Sequence, residues 1–294
     1  DLYDPLLRVF FAGKGNVMLV RTMAQIEAEG RVISISHGKA TAVRLLTRAD
    51  GLNFSISVAR GSQVGVSTLW YKNHWEANYV RSGSAILEDC NSGQRWPLEP
   101  GMLYCVGPLD KHRIIREVDT DMRMISVFNP PIIGQETHGE DGAYPPSGDL
   151  PPRQGRMTVT TLEDVRKAGM EVSINGGRVI AQRYLTAADQ MGFSFSSVKV
   201  KEGVETDLWY KNHWEGNLVL DGSLEVTDKT TGDVHILGPG GLYLVGPDDP
   251  HHLKALTDVH AISVFDPPLT GNEDHDADGA YPPTGPLPPG PGVG

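Results

Sequence analysis

The chain has 294 residues, 39% of them hydrophobic, which is enough for two compact cores. Its net charge of −11 and the lack of any basic run argue against a nucleic-acid partner. No apolar run reaches membrane-spanning length, and only two cysteines, Cys90 and Cys105, are present. Neither a membrane span nor a disulfide framework is therefore expected, and the composition reads as cytoplasmic.

Residues 1–17 form an N-terminal extension without a counterpart elsewhere, and the start at Asp1 is compatible with a trimmed N-terminus. From Met18 onward the chain is written twice. LWYKNHWE at 69–76 returns at 208–215, and the same offset of 139 residues relates Arg44 to Arg183, Gly83 to Gly222, Tyr104 to Tyr243 and His112 to His251. A two-residue deletion then sets the offset to 137, which carries Phe128 to Phe265, Glu136 to Glu273 and DGAYPP at 141–146 to 278–283. A period this long is a domain rather than a solenoid repeat. The expected organisation is a unit at 18–146, a linker at 147–156, a second unit at 157–283 and a disordered Pro/Gly-rich tail at 284–294.

Each unit opens with a strand-like segment, Met18–Val20 or Met157–Val159, and then a short helix. Thr22 with Gln25, and Thr161 with Asp164, have capping-box spacing. The rest is β: short alternating runs such as Phe54–Val58, Asn78–Val80, Gly101–Val106 and Met124–Phe128, divided by Gly, Asp, Asn and Pro. About eight to ten such runs per unit predict a small barrel or jelly roll. The two units are therefore expected to be all-β.

The chemistry-bearing residues also recur. Glu76 and Gly83, like Glu215 and Gly222, have the Glu-x6-Gly spacing of the first cupin motif, but leucine and tyrosine stand where its two histidines would be. Pro100-Gly101 and Pro239-Gly240 open the second motif, with Tyr104 and Tyr243 at its histidine position and His112 and His251 eight residues on. The alternative is a buried tyrosine and histidine satisfied by hydrogen bonds beside a surface glutamate. Retention of all three in both copies, while Tyr79/Leu218 and Cys105/Leu244 diverged, favours a site.

A cupin with glutamate, tyrosine and histidine in these places resembles the ectoine synthase family. YKNHWE, MGFSFS at 191–196 and the tails 128–145 and 265–282 strengthen the resemblance, which covers about 18–148 and 157–285. It implies two tandem cupin barrels, each with a short N-terminal helix. It also implies a metal-dependent lyase that closes a ring in a small N-acyl diamino acid with loss of water. The implied metal is Fe²⁺, or else Zn²⁺, one per domain, on Glu76, Tyr104 and His112 and on Glu215, Tyr243 and His251. Two anionic oxygens and an imidazole suit such an ion, and three ligands leave positions open. The tyrosines are also counted as catalytic.

By position the resemblance assigns substrate contacts to Arg44 and Arg183, Tyr71 and Tyr210, and Phe128 and Phe265. The arginine would hold a carboxylate in a bidentate contact, and Glu136 or Glu273 would orient an amine. A surface arginine and a core phenylalanine are the plainer alternatives. Asn78 and Asn217 share a strand face with the metal glutamates and either meet a ligand or bond backbone across the barrel. His74 and His213 are expected to support the site rather than to ligate; His138, His252 and His275 lie in polar text and read as solvated.

Several pocket positions depart from the family. Its tryptophan is Ala40 and Val179, its serine Ala42 and Ala181, its threonine Ala59 and Val198, and its cysteine Ser126 and Ser263. A changed substrate follows. An iron cupin oxygenase or lyase on another small molecule, and a non-catalytic binding protein for an amino-acid derivative, remain alternatives. The family's homodimer implies that the two halves pair as a pseudo-dimer, with further oligomerisation left open.

Overall fold

A computed structural model describes residues 18–61 and 63–291; the N-terminal extension and the last three tail residues lie outside it. Among the described residues twenty-two strands, eleven from each half, form two seven-stranded and two four-stranded sheets. The sequence expected slightly fewer because short strands such as Arg95–Leu98 carry too little alternation to stand out. The fold is all-β, with the two tandem cupin barrels expected. Both helices are six residues long, and Thr22 and Thr161 cap them through complete capping boxes.

Alternation along each strand decides what faces where. In the first half, Val80, Tyr104, Val106 and Phe128 point into the barrel, where they share a core with Leu87, Leu98 and Ile114 of the four-stranded sheet. Their strand neighbours Ala77, Tyr79, Leu103, Cys105, Ile125 and Val127 point to the opposite side. There they meet Tyr184, Phe193, Phe195, Leu218, Leu244 and Val264 of the second half. The large sheets thus pack back to back, and the two units form a pseudo-dimer within one chain. Phe54 and Phe193, related by the repeat, lie 6.2 Å apart across this core.

The opening strands are exchanged. Leu19–Arg21 pairs with Leu242–Val245 of the second half, so that Val20 lies opposite Tyr243. Thr158–Thr160 pairs with Leu103–Val106 of the first half, so that Val159 lies opposite Tyr104. Met18 joins the second barrel's core and Met157 packs against the first. The strand expected at each unit's start is real, but its partners belong to the other unit. Residues 18–146 are one copy of the repeat without being one self-contained barrel.

The linker and the tail play equivalent parts. The guanidinium of Arg153 stacks on Trp75 at 4.8 Å and donates to the Asp189 carbonyl at 2.7 Å. Gly290, 137 residues on, packs on Trp214 and donates its N–H to the Gly51 carbonyl at 3.0 Å. The described tail is therefore ordered against the first half, contrary to the disorder its composition suggests. Docking on an apolar indole and closing backbone hydrogen bonds offsets the entropy that a free Pro/Gly segment would keep.

The junction diverged in a coordinated way. Asn129 Nδ2 donates to the Met191 carbonyl at 2.8 Å, and a side chain at Gly192 would collide with it. At the matching junction Asp266 accepts from Asn53 N at 2.8 Å and from Asn53 Nδ2 at 3.3 Å.

Two outcomes follow. Phe193→Ala should cost about 3–5 kcal/mol, and both halves should still unfold in one transition, read by calorimetry and by tryptophan fluorescence. Burial pushes the Asp266 carboxyl up to about 6 from 3.8. A raised carboxyl favours the fold while protonated, so its contribution is lost as pH rises through about 6. Asp266→Asn should flatten the stability profile between about pH 4 and 6 in denaturant titrations. A profile as steep as wild type would refute this.

Candidate active site

Three strands of the large sheet bring the first site together. Trp75–Ser82 carries Glu76 and Asn78 two residues apart, so both face inward. Tyr104 lies opposite Asn78 on one neighbour, while Ser126 and Phe128 lie opposite Asn78 and Glu76 on the other. Ser57 lies opposite Ser126 on the next strand out, and Arg44 pairs with Ser57 from the strand beyond that. His112 opens a strand of the small sheet. Its ring lies 6.5 Å from that of Tyr104 and 6.0 Å from that of Tyr71. Glu76 and Tyr104 line the cavity, and the fully buried His112 stands beside them. The second half repeats this with Glu215, Tyr243 and His251, the last ring 6.3 Å from Tyr243.

Burial dominates the electrostatics. It pushes Glu76 and Glu215 up to about 7, holds the tyrosine hydroxyls well above their ordinary value, and lowers His112 and His251 to about 4. Each histidine hydrogen-bonds through Nδ1 to a backbone carbonyl, of Asp110 or Asp249, at 2.9 Å. That bond fixes the tautomer and leaves Nε2 as a lone pair. In both halves this Nε2 is buried without a partner. Among the described residues no three His, Cys, Asp or Glu side chains converge. The third member of this set is a tyrosine, outside that pattern. Two potentially anionic oxygens and an unpaired imidazole nitrogen fit a divalent cation, whose charge would reverse the preference for neutral forms.

Asn78 Oδ1 accepts from Ser126 Oγ at 2.5 Å. The Nδ2 groups of Asn78 and Asn217 are buried without a backbone partner across the barrel, and each amide instead lies beside Glu76 or Glu215 and lowers that carboxyl. Ser263 Oγ donates to Glu215 directly.

Arg44 is not a surface charge but a buried one on the cavity wall. It is 1% exposed and donates to Ser57 Oγ (3.2 Å), the Glu136 carbonyl (3.0 Å) and Tyr144 Oη (3.1 Å). Only Nε lacks a partner. Three of its five N–H groups are thus spent on the protein, which fixes the positive charge on the wall and leaves Nε–H and one Nη1–H. Arg183 is held in the same way by the carbonyls of Gly271 and Glu273.

Glu136 and Glu273 also differ from expectation. Their carboxylates accept the backbone N–H groups of Ile133 and Gly134, and of Thr270 and Gly271. Neither lines a cavity. They hold the turn whose carbonyls anchor the arginine, which positions that charge rather than a substrate amine.

His138 and His275, with Tyr144 and Tyr281, were missed as wall residues. His138 is 7% exposed, not solvated. Its Nδ1 accepts from Ser36 N at 3.1 Å, its Nε2 meets Tyr71 Oη at 2.9 Å, and its ring stacks on Tyr144 at 4.4 Å. His275 stacks on Tyr281 at 4.1 Å and meets Tyr210 at 3.2 Å but remains exposed, while half-buried His252 pairs with Asp207. Tyr144 and Tyr281 complete the wall. The signal was present in DGAYPP, but only the return of the tail over the barrel mouth gives it meaning. His74 and His213 line neither cavity; they pack edge-on to Phe128 and Phe265, bonded to Ser147 Oγ and Thr284 Oγ1. Ala40, Ala42, Ala59 and Ser126, with Val179, Ala181, Val198 and Ser263, all face the cavities.

The ectoine synthase family model matches residues 18–148 and again 157–285. The L-ectoine synthase of Saccharopolyspora erythraea is 39% identical over 126 residues, 43% of this chain and 92% of that protein. That of Oceanobacillus iheyensis is 40% identical over 126 residues, 43% of this chain and 97% of that protein. Over the longer span, the salicylate 1,2-dioxygenase of Pseudoaminobacter salicylatoxidans superposes with a TM-score of 0.59 at 14% identity, covering 89% of this chain and 84% of that one. That likeness concerns the fold alone. Among the described residues no helix is long and apolar enough to cross a membrane.

Arg44→Met should leave the Glu136 carbonyl and the Tyr144 hydroxyl without their donor, at about 1–3 kcal/mol for each group that stays dry. Amide hydrogen exchange should accelerate across 130–146 before it does in the large sheet. Unchanged protection there would show that the arginine does not hold the tail loop.

Proposed function

Because the chain belongs to the ectoine synthase family, we propose that each half is a metal-dependent carbon–oxygen lyase site acting on a small N-acyl diamino acid or related amide. The reaction is a water-eliminating cyclisation or its reverse. The amine nitrogen forms a bond to the amide carbonyl carbon, and that carbonyl oxygen leaves as water with two protons from the amine. One observation carries the reading. In both halves a buried glutamate and tyrosine face the cavity beside a histidine whose Nδ1 is fixed and whose Nε2 is unpaired.

Glu76, Tyr104 and His112, and Glu215, Tyr243 and His251, would hold the ion, Fe²⁺ or alternatively Zn²⁺. Bound there, it would supply a Lewis acid that polarises an amide carbonyl. The Nδ2 of Asn78 or Asn217, beside the metal glutamate, can donate to an oxygen gaining charge. Arg44 and Arg183 place a positive charge on the wall that favours a substrate carboxylate. Phe128, Phe265, Tyr71 and Tyr210 exclude water. The small side chains at positions 40, 42 and 59, and the valines at 179 and 198, support a substrate other than that of ectoine synthase.

Metal analysis of the purified protein tests the reading. The expectation is about two ions per chain, falling by one in Glu76→Ala and by one in Glu215→Ala, with turnover of an N-acyl diamino acid and no oxygen uptake. Oxygen consumption with substrate would favour an oxygenase, and tight binding without turnover a binding protein. No metal after anaerobic iron loading would sink the catalytic reading.

A further inference from the structure

The two cavities share their inner ends and differ at their mouths. The first measures ≈ 70 Å³ and the second ≈ 170 Å³. The difference traces to a few paired positions. The first mouth has Gly61, Arg116, Met122 and Met124 where the second has Val200, Ala255, Val259 and Ala261.

Arg116 is the main occupant of the first mouth. It is 6% exposed, and its Nη1 donates to the Gln63 carbonyl at 2.7 Å and its Nη2 to the Thr120 carbonyl at 2.6 Å. Asp119, 3.6 Å from Nη2, is largely solvent-exposed and neutralises it little. Its Nε is buried and unpaired. Gly61 makes room for it: a side chain there would begin 2.8 Å from Nη1. The Thr120 carbonyl ends the first-half loop that is two residues longer than its counterpart. Glycine, arginine and longer loop therefore form one device. The second half lacks all three, and Val179, Val198, Val200, Ala255, Val259 and Ala261 give it an apolar mouth.

We infer that the duplicated sites have parted in ligand class: the second half receives a short linear alkyl chain, of four to six carbons, that Arg116 and the two methionines exclude from the first. An alkyl chain in the first mouth would compete for space with the methionines and bury a guanidinium face against hydrocarbon without a partner. In the second mouth the same chain meets mainly hydrocarbon, and each methylene removed from water tightens binding roughly four-fold. The first half then keeps compact acyl groups, the second longer ones. The inference rests on the acyl-compound reading above only for the polar head of the ligand.

Calorimetric titration of the metal-loaded chain would use three probes: N-acetyl-2,4-diaminobutyrate, its N-hexanoyl homologue, and hexanamide as a chain without the diamino-acid head. The expected result is one tight hexanoyl site per chain, its affinity rising with chain length. Val200→Gly/Ala255→Arg should abolish that gain, as should the milder Ala261→Met if the double variant does not fold. Arg116→Ala should leave the tight site unchanged and add a second, weaker one. If only hexanamide binds, once per chain and sensitively to Ala261→Met, the inference stands and the substrate reading falls. Two equal hexanoyl sites per chain, or a chain-length gain that survives both second-half variants, would overturn it, as would no gain with either hexanoyl probe.

Discussion

The structure depends on the apolar face that each seven-stranded sheet turns away from its own barrel. A sheet with both faces hydrophobic must be covered on both sides. One side is closed by the four-stranded sheet and becomes the site. The other can be closed only by the equivalent face of the second unit. The exchanged opening strands tie that arrangement to the chemistry, because Val159 and Val20 lie opposite Tyr104 and Tyr243. Neither site is complete without a strand from the other half. Fusing two copies keeps those strands at high local concentration, since their exchange is intramolecular.

Within each barrel one energetic fact organises the site. Enough hydrocarbon surrounds Glu76, Tyr104 and His112 that desolvation outweighs every other influence on their charge. Left alone, all three prefer to be neutral. A site of this kind gains most from a compact cation, which provides the opposite charge that the protein leaves out. Among the described residues the cation that acts on Glu76 is Arg44, and two of its N–H groups are committed to the tail loop. Arg44, Glu136, Tyr144 and His138 thus work as a frame: the glutamate holds a turn, the turn holds the arginine, and the tyrosine and histidine stack above it.

Duplication freed the two mouths to differ while the inner ends stayed alike. The substitutions are coupled physically. Arg116 needs Gly61 and the carbonyl of a longer loop, just as Asn129 needs Gly192 and Asp266 is matched by Asn53. Pairs like these change together because each half-change would leave a clash or an unpaired buried group.

The sequence by itself determined the duplication, the all-β class, the capped helices and the inward placement of Glu76 with Asn78. Those features depend on local periodicity and on residue identity, which the chain carries on its face. Only the tertiary structure decided the rest. Whose sheet the opening strand joins is a matter of register between distant segments, and no local pattern records it. That Arg44 is pinned, that Glu136 caps its own turn and that His138 is buried follow from where the tail loop lands. Composition likewise made the C-terminal tail look like disordered text, yet Gly290 docks on Trp214 as Arg153 of the linker docks on Trp75. In the 130–146 loop the fixed neighbours are Arg44 and Tyr71, and they turn Tyr144 and His138 into part of a site.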